Sequence, residues 1–233
     1  GTGTANLANG LTGNINYAGN DGVVNLSDTK AISGTVSGTN AGILNALGGG
    51  TLDGAVGTLS ELNVNRVTAT ASGDTTGATS KTLVVTQNVS AASIKLFNDG
   101  GIQVADSKNL TGAVTTTTDN TGFLTLVGTT AVTGNVGAAG MALRAVNAGA
   151  NSSASSFSNG VVYATSLNYS GNGSVQFNGL NTKTAAVVTN GALTSGGSDL
   201  GFVGTVDFGT NVTNTGTFVL GDNVDLITQH AAS

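Results

Sequence analysis

Apolar residues along the chain fall in short runs of four or five, never in long blocks. VVNL (23–26), TLVVT (82–86), SIKLF (93–97), GVVY (160–163) and TFVL (217–220) are such runs. They are rich in β-branched and aromatic residues, which suit a pleated, half-buried surface. Between them lie the turn pairs Asn9-Gly10, Asp99-Gly100, Asn159-Gly160, Asn172-Gly173, Asn178-Gly179 and Asn190-Gly191. Such pairs accept the positive-φ conformations that tight turns need. The pattern predicts short strands and turns from end to end. One stretch conflicts with it. GAAGMALRAV (137–146) is rich in Ala, Leu, Met and Arg, which favour helix. Yet Leu143, Ala145 and Asn147 alternate on one face, and SELNVN (60–65) follows the motif LDGAVG at nearly the same offset. MALRAVN (141–147) is therefore predicted as a strand, and GAAG (137–140) as the corner before it.

The runs are also self-similar. A hexamer, apolar-x-Gly-x-Ile/Val-x, recurs. It is LTGNIN with Leu11, Gly13 and Ile15, then ISGTVS with Ile32, Gly34 and Val36, then LDGAVG with Leu52, Gly54 and Val56. It returns as LTGAVT with Leu110, Gly112 and Val114, VTGNVG with Val132, Gly134 and Val136, and FVGTVD with Phe202, Gly204 and Val206. The starts lie 21, 20, 58, 22 and 70 residues apart, so three gaps are close to one unit and two read as three units. A period near twenty is the mark of a solenoid, whose rungs bury apolar faces only by stacking. These motif residues are structural candidates. The first and fifth positions share a face of a period-2 strand, and the glycine marks a bend where the coil turns a corner. Asn side chains are suited to ladder up the stack, each amide bonding the one above.

The predicted fold is all-β, a right-handed parallel β-solenoid of roughly eleven coils of about twenty residues. It is read as a single repetitive domain over residues 1–233, with 228–233 as a flexible tail. The alternative is one or two β-sandwiches of similar short strands, which need no repeating hexamer.

Composition narrows the function classes. Charged residues make up 8% and the formal net charge is −5, so solubility rests on Thr, Ser and Asn. Seven Lys and Arg, spread without a basic cluster, and 4% aromatics give neither a phosphate-binding patch nor base-stacking platforms. Nucleic acid is therefore not an expected partner. The absence of cysteine removes disulfides, thiolate metal sites and cysteine nucleophiles. No apolar run approaches the length of a membrane-spanning helix. Three Tyr, seven Phe and no Trp are too few for the aromatic girdles of a membrane barrel. Gly1, in place of an initiator Met and without a signal-peptide pattern, reads as the start of a mature or excised segment.

The stretch VTGNVGAAGMALRAVNAG (132–149) resembles the passenger repeats of the rickettsial surface cell antigens, the outer-membrane proteins A and B. So do VVYATSLNYSGNGSVQFNG (161–179) and GFVGTVDFGTNVTNTGTFVLGDNVDL (201–226). These families are autotransporters. The resemblance implies a β-solenoid passenger displayed outside a bacterial cell, serving host adhesion or a surface layer. A leader and a C-terminal membrane barrel, the other family parts, are not present in these residues.

Candidate chemistry is sparse. His230 is the single histidine and lies near the chain end, where termini fray, so a Ser-His-Asp triad is not expected. Eleven Asp and one Glu, mostly beside Gly or Asn, read as turn formers. A polysaccharide-active β-helix enzyme with paired carboxylates is the outside reading. GGSDLG (196–201) and GGGTLD (48–53) share only part of the calcium β-roll repeat, and 222–225 lacks the ligands of an EF-hand. No cofactor is expected beyond a calcium ion held casually at a turn. No phosphate-binding glycine loop occurs. Glu61 and five lysines leave open an intramolecular Lys–Asn isopeptide bond, which needs Lys, Asn and an acid together. The plainer reading makes them exposed charges that discourage edge pairing. The solenoid's ends expose strand edges unless covered. The function expected is thus non-catalytic: a cell-surface adhesin binding a host-cell receptor, or alternatively a self-assembling filament or lattice subunit.

Overall fold

Runs that alternate in polarity can bury a face only by pairing sideways, and this chain pairs each run with the one a turn earlier. The computed structural model describes residues 2–66, 81–148, 153–158 and 162–169, and the segments 174–178, 192–195, 200–203, 205–208, 213–214, 218–220 and 225–228. None of these residues is helical.

The first turn holds β1 (Thr4–Leu7), a bridge at Leu11 and β2 (Ile15–Asn16). The second holds β3 (Val23–Leu26), β4 (Lys30–Ile32) and β5 (Val36–Ser37). The third holds β6 (Ile43–Ala46), β7 (Gly50–Leu52) and the start of β8 (Val56–Val64). The end of β8, β9 (Thr82–Val85) and the start of β10 (Val89–Leu96) make the fourth. The fifth runs through β11 (Gly101–Val104) into β12 (Asn109–Thr116), and the sixth through β13 (Thr121–Leu126) to β14 (Ala131–Thr133). The seventh passes Val136, β15 (Leu143–Ala148) and β16 (Ala154–Ser158). β17 (Ser166–Tyr169), β18 (Ser174–Asn178), β19 (Ala192–Ser195), β20 (Leu200–Val203), β21 (Thr205–Phe208), β22 (Thr213–Asn214), β23 (Phe218–Leu220) and β24 (Asp225–Thr228) continue the parallel pairing.

This is a parallel β-solenoid with three strand positions per turn. Leu11, Ile32, Leu52, Val85, Val104 and Leu126 stack in register on one side. Ile15, Val36, Val56, Val89, Leu110, Val132 and Phe157 stack on the next. Val24, Leu44, Leu62, Ile94, Val114, Val136 and Val162 stack on the side that opens each turn, so the Leu11 column is the second side and the Ile15 column the third. These columns make one continuous core, in which Ile32, Leu44, Leu62, Leu110 and Val132 have no exposed surface. Full burial of such a side chain stabilises by roughly 1.5–3 kcal/mol, so the core is a sum of similar increments along the stack.

Seven full turns run from Thr4 to Ser158, and β18, β20 and β23 add three rungs beyond them, so the coils are slightly fewer than eleven and less uniform than twenty residues each. Ladder partners in successive turns are 19, 20 and 18 residues apart, but the fourth turn also carries residues 67–80 between β8 and β9. That insertion changes the reading of the motif gaps. From Val56 to Leu110 the register takes two rungs, through Val89, not three. From Val132 to Phe202 it does take three, through Phe157 and Phe177. Leu143 to Asn147 of MALRAVN lie in the strand β15, which runs on to Ala148, and Gly137 and Gly140, both at positive φ, bracket the tight turn before it. Its inward residues are Leu143, Val146 and Ala148, with Ala145 and Asn147 half-buried. Leu143 sits at the corner, so the alternation restarts after it. SELNVN occupies a different side of the coil from β15, so the two stretches are not equivalent. Of the expected tail, Thr228 ends β24 and 229–233 lie outside the described residues.

Candidate functional site

The hexamer residues come together as corner posts rather than as a pocket. The first and fifth positions lie on different sides of the coil, both directed to the core, with the glycine between them at the bend. The copies divide between two corners. Leu11, Ile32 and Leu52 end the second side of their turns, and Ile15, Val36 and Val56 begin the third. Leu110 and Val132 belong to the third side, and Val114 and Val136 open the first side of the next turn. By register Phe202 continues the column of Val132, Val206 pairs with Leu226, and Gly204 lies outside the described residues. At the first corner a Cβ on Gly34 would strike the Gly13 carbonyl, and one on Gly54 the Gly34 carbonyl. At the second, Gly112 meets the Ala91 carbonyl and Gly134 that of Gly112. Glycine lets successive corners approach to sheet spacing.

The strand face turned away from the core carries another column, of amides, exposed at Asn6 and buried at Asn45 and Asn63. Asn6, Asn25, Asn45 and Asn63 are register partners in four successive turns. Asn25 Nδ2 donates to Asn6 Oδ1 at 2.7 Å, Asn45 Nδ2 to Asn25 Oδ1 at 2.7 Å, and Asn63 Nδ2 to Asn45 Oδ1 at 2.8 Å. The next position in the column is Lys95. Its Nζ lies 2.6 Å from Glu61 Oε1, and Asn63 Nδ2 also donates to Glu61 Oε2 at 3.2 Å. The Lys95 hydrogen bond holds the Glu61 carboxyl below the ordinary value of 4.5, against a smaller opposing effect of burial. Arg66 donates to Asn45 Oδ1 at 3.2 Å and lies over the Phe97 ring.

The acidic residues read as turn formers do lie in turns at Asp28, Asp99, Asp106 and Asp119, and they also staple coil to coil. Asp28 Oδ1 accepts from Gly49 N, Asp99 Oδ1 from Gly122 N, Asp106 Oδ1 from Thr129 N and Asp119 Oδ1 from Ala142 N, all at 2.7–2.9 Å. Asn14 and Asn88 do the same for Thr35 N and Asn109 N. Each joins one turn to the next. Asp28 and Asp99 reach a turn further through their second oxygens, to Lys81 at 3.0 Å and Arg144 at 3.1 Å. A sequence signal existed for the ladder, the recurring triplets ANL, VNL, LNA and LNV at residues 5–7, 24–26, 44–46 and 62–64. The staples had a weaker one, an Asx some 21–23 residues before the residue whose backbone N–H donates to it.

The first turn differs from those behind it. β1 pairs only with β3, and Leu7, Leu11 and Ile15 are half-buried where their register partners Leu26, Ile32 and Val36 are buried. An open groove there is lined by Gly3, Ala5, Ile15, Tyr17 and Val24, among others. Tyr17 is 6% exposed and donates its hydroxyl to the Ile43 carbonyl at 2.8 Å. Burial pushes its pKa up to about 12. Among the described residues no group of three or more His, Cys, Asp or Glu side chains comes together, and no helix is long and apolar enough to cross a membrane. His230 and residues 196–199 and 222–224 lie outside the described residues. Compared with known protein families, curated proteins and solved structures, the chain has no significant match.

Proposed function

We propose that this chain is a structural and adhesive module of a bacterial cell surface, acting by display of its β-solenoid wall outside the cell and not by catalysis. Its partner in that role is a receptor on a host cell. The observation that carries the reading is the use of polar side chains. Amides and carboxylates join coil to coil, as the Asn6–Asn63 ladder and the staples at Asp28, Asp99, Asp106 and Asp119 do. Acids spent on backbone N–H groups stiffen a wall and suit display better than proton transfer. The resemblance of residues 132–149, 161–179 and 201–226 to surface-antigen passengers supports the same location. The test is saturable binding of labelled purified protein to host cells, competed by unlabelled protein. Binding that never saturates would sink the adhesive role, and turnover of any member of a glycan panel would sink the non-catalytic one.

A second reading, self-assembly into a filament, is favoured by the first turn. The outer edge of β1 is unpaired among the described residues, and the apolar columns are open above it. A second copy stacked head to tail would cover both, and such a heterologous contact builds an open fibre. Sedimentation over a range of concentrations tests it, because a strictly monomeric rod at high concentration removes this reading.

A further inference from the structure

The amide ladder changes chemistry at one place. Asn25 and Asn45 each send Nδ2 back to the previous turn. Asn63 does so too, which turns its Oδ1 away from Asn45. That oxygen is buried and receives no hydrogen bond. The residue stacked on Asn63 in the next turn is Lys95, not another Asn. Glu61, two residues before Asn63, spans the gap. Its Oε1 lies 2.6 Å from Lys95 Nζ and its Oε2 3.2 Å from Asn63 Nδ2. One carboxylate thus touches an amine on one turn and a carboxamide nitrogen on the turn before it. From this juxtaposition we infer that Lys95 Nζ and Asn63 Cγ form an intramolecular isopeptide bond, with Glu61 as the proton carrier.

Aminolysis of an amide needs a neutral amine and a protonated leaving nitrogen. Both conversions are available through one group. Glu61, held as the carboxylate, takes a proton from the Lys95 ammonium through Oε1. The freed lone pair attacks Cγ of Asn63. The bond from Cγ to Nδ2 then breaks as Glu61 delivers protons to Nδ2 through Oε2. Lys95 gives up two protons in all, the departing nitrogen gains both and leaves as ammonium, and Glu61 ends as the carboxylate it was. No oxidant or activated co-reactant is required. Register pairing supplies the proximity that a slow bimolecular aminolysis lacks. Asn63 has no exposed surface, so water is kept from Cγ. Glu61 and Lys95 keep 28% and 37% of their side-chain exposure, which leaves a route for ammonium to depart. The bond would weld the fourth turn to the fifth, across the segment that includes 67–80. A cross-link over a long loop constrains the unfolded chain most.

The experiment is intact-mass measurement of the purified full chain, followed by trypsin digestion. The expected mass is lower than that of the sequence by one ammonia. The digest should yield residues 31–66 joined to residues 82–108, with no cleavage after Lys95. Glu61→Gln and Lys95→Arg should each restore the full mass, with circular dichroism checking that the strands remain. Wild-type protein of full mass, cleaved normally after Lys95, overturns the proposal without any variant. So does an ammonia loss that maps to an Asn-Gly pair while residues 31–66 stay unjoined. Joined segments that persist in Glu61→Gln would overturn the assignment of Glu61.

Discussion

Gly112 is fixed by two independent constraints. Its φ is +132°, and a Cβ there would strike the carbonyl of Ala91 in the turn before. Either alone would favour glycine. Gly112→Ala is expected to lose about 1–3 kcal/mol, as strained backbone positions do, read from the denaturant midpoint. Gly3→Ala is the control, since nothing lies near its Cβ, and a change within about 0.5 kcal/mol is expected there. Tyr17 shows a different residue-scale effect. Its ordinary value of 10.0 is raised to about 12 in the fold by burial, so the neutral phenol is the form the fold holds. The associated stability is complete below pH 10.0 and is lost as pH rises toward about 12. Thermal midpoints of the wild type should therefore fall across that window. Tyr17→Phe should lack that part of the fall, while costing about 1 kcal/mol at neutral pH for the lost bond to Ile43. Equal alkaline slopes for the two proteins would contradict the account.

Among elements, the corner between strands is where turns are tied together. Asp106 accepts the Thr129 N–H at 2.7 Å, and a Cβ on Gly128 would strike the Asp106 side chain. Asp28 and Gly48 stand in the same relation, with Asp28 accepting from Gly49. At these two corners the staple on one turn lies where the next turn has a glycine, whereas Met141 and Lys108 precede the N–H groups that Asp119 and Asn88 bind. What the staple needs is an acceptor oxygen, not a charge, because Asn14 and Asn88 fill the role elsewhere. Asp106→Asn is therefore expected to be close to neutral. Asp106→Ala should cost about 1 kcal/mol, the usual worth of a hydrogen bond of this kind. If amide exchange at Thr129 N–H speeds equally in both variants, the acceptor argument fails. The ion pairs of Asp28 and Asp99 add little beside this, since partly exposed pairs contribute about 0–1 kcal/mol.

For the whole molecule, seven turns at about 4.8 Å each give a stack roughly 30 Å tall, with further strands beyond. Stability in such a stack is a sum of similar turns and interfaces, and among the described residues the first turn pairs on one side only. Leu11 is half-buried there while Ile32 and Leu52, its column partners, are buried. Under the self-assembly reading, Leu11→Lys should abolish concentration-dependent association while leaving the β-sheet circular dichroism unchanged. A charge on an open strand edge is how such edges are kept from pairing. If Leu11→Lys associates as the wild type does, association uses some other surface.

The strands, the glycine corners and the coil-by-coil stacking were legible in the residues alone, because each depends on a local requirement. A run such as VVNL alternates, a hexamer such as ISGTVS holds two inward residues around a bend, and neither is stable unless stacked. The same local character limits what the hexamer specifies. Every corner asks for an inward residue, a close-packed glycine and another inward residue, so LDGAVG and LTGAVT look like one register and lie at two corners. The coil count, the inward set of β15 and the partners of Asp28 and Asp106 are likewise properties of register. Pairing between turns decides them, because only the stacked strand fixes which residue lies beneath which. The meeting of Glu61, Asn63 and Lys95 is the clearest case. Thirty-two positions separate Asn63 from Lys95 in the chain, and one rung separates them in the sheet.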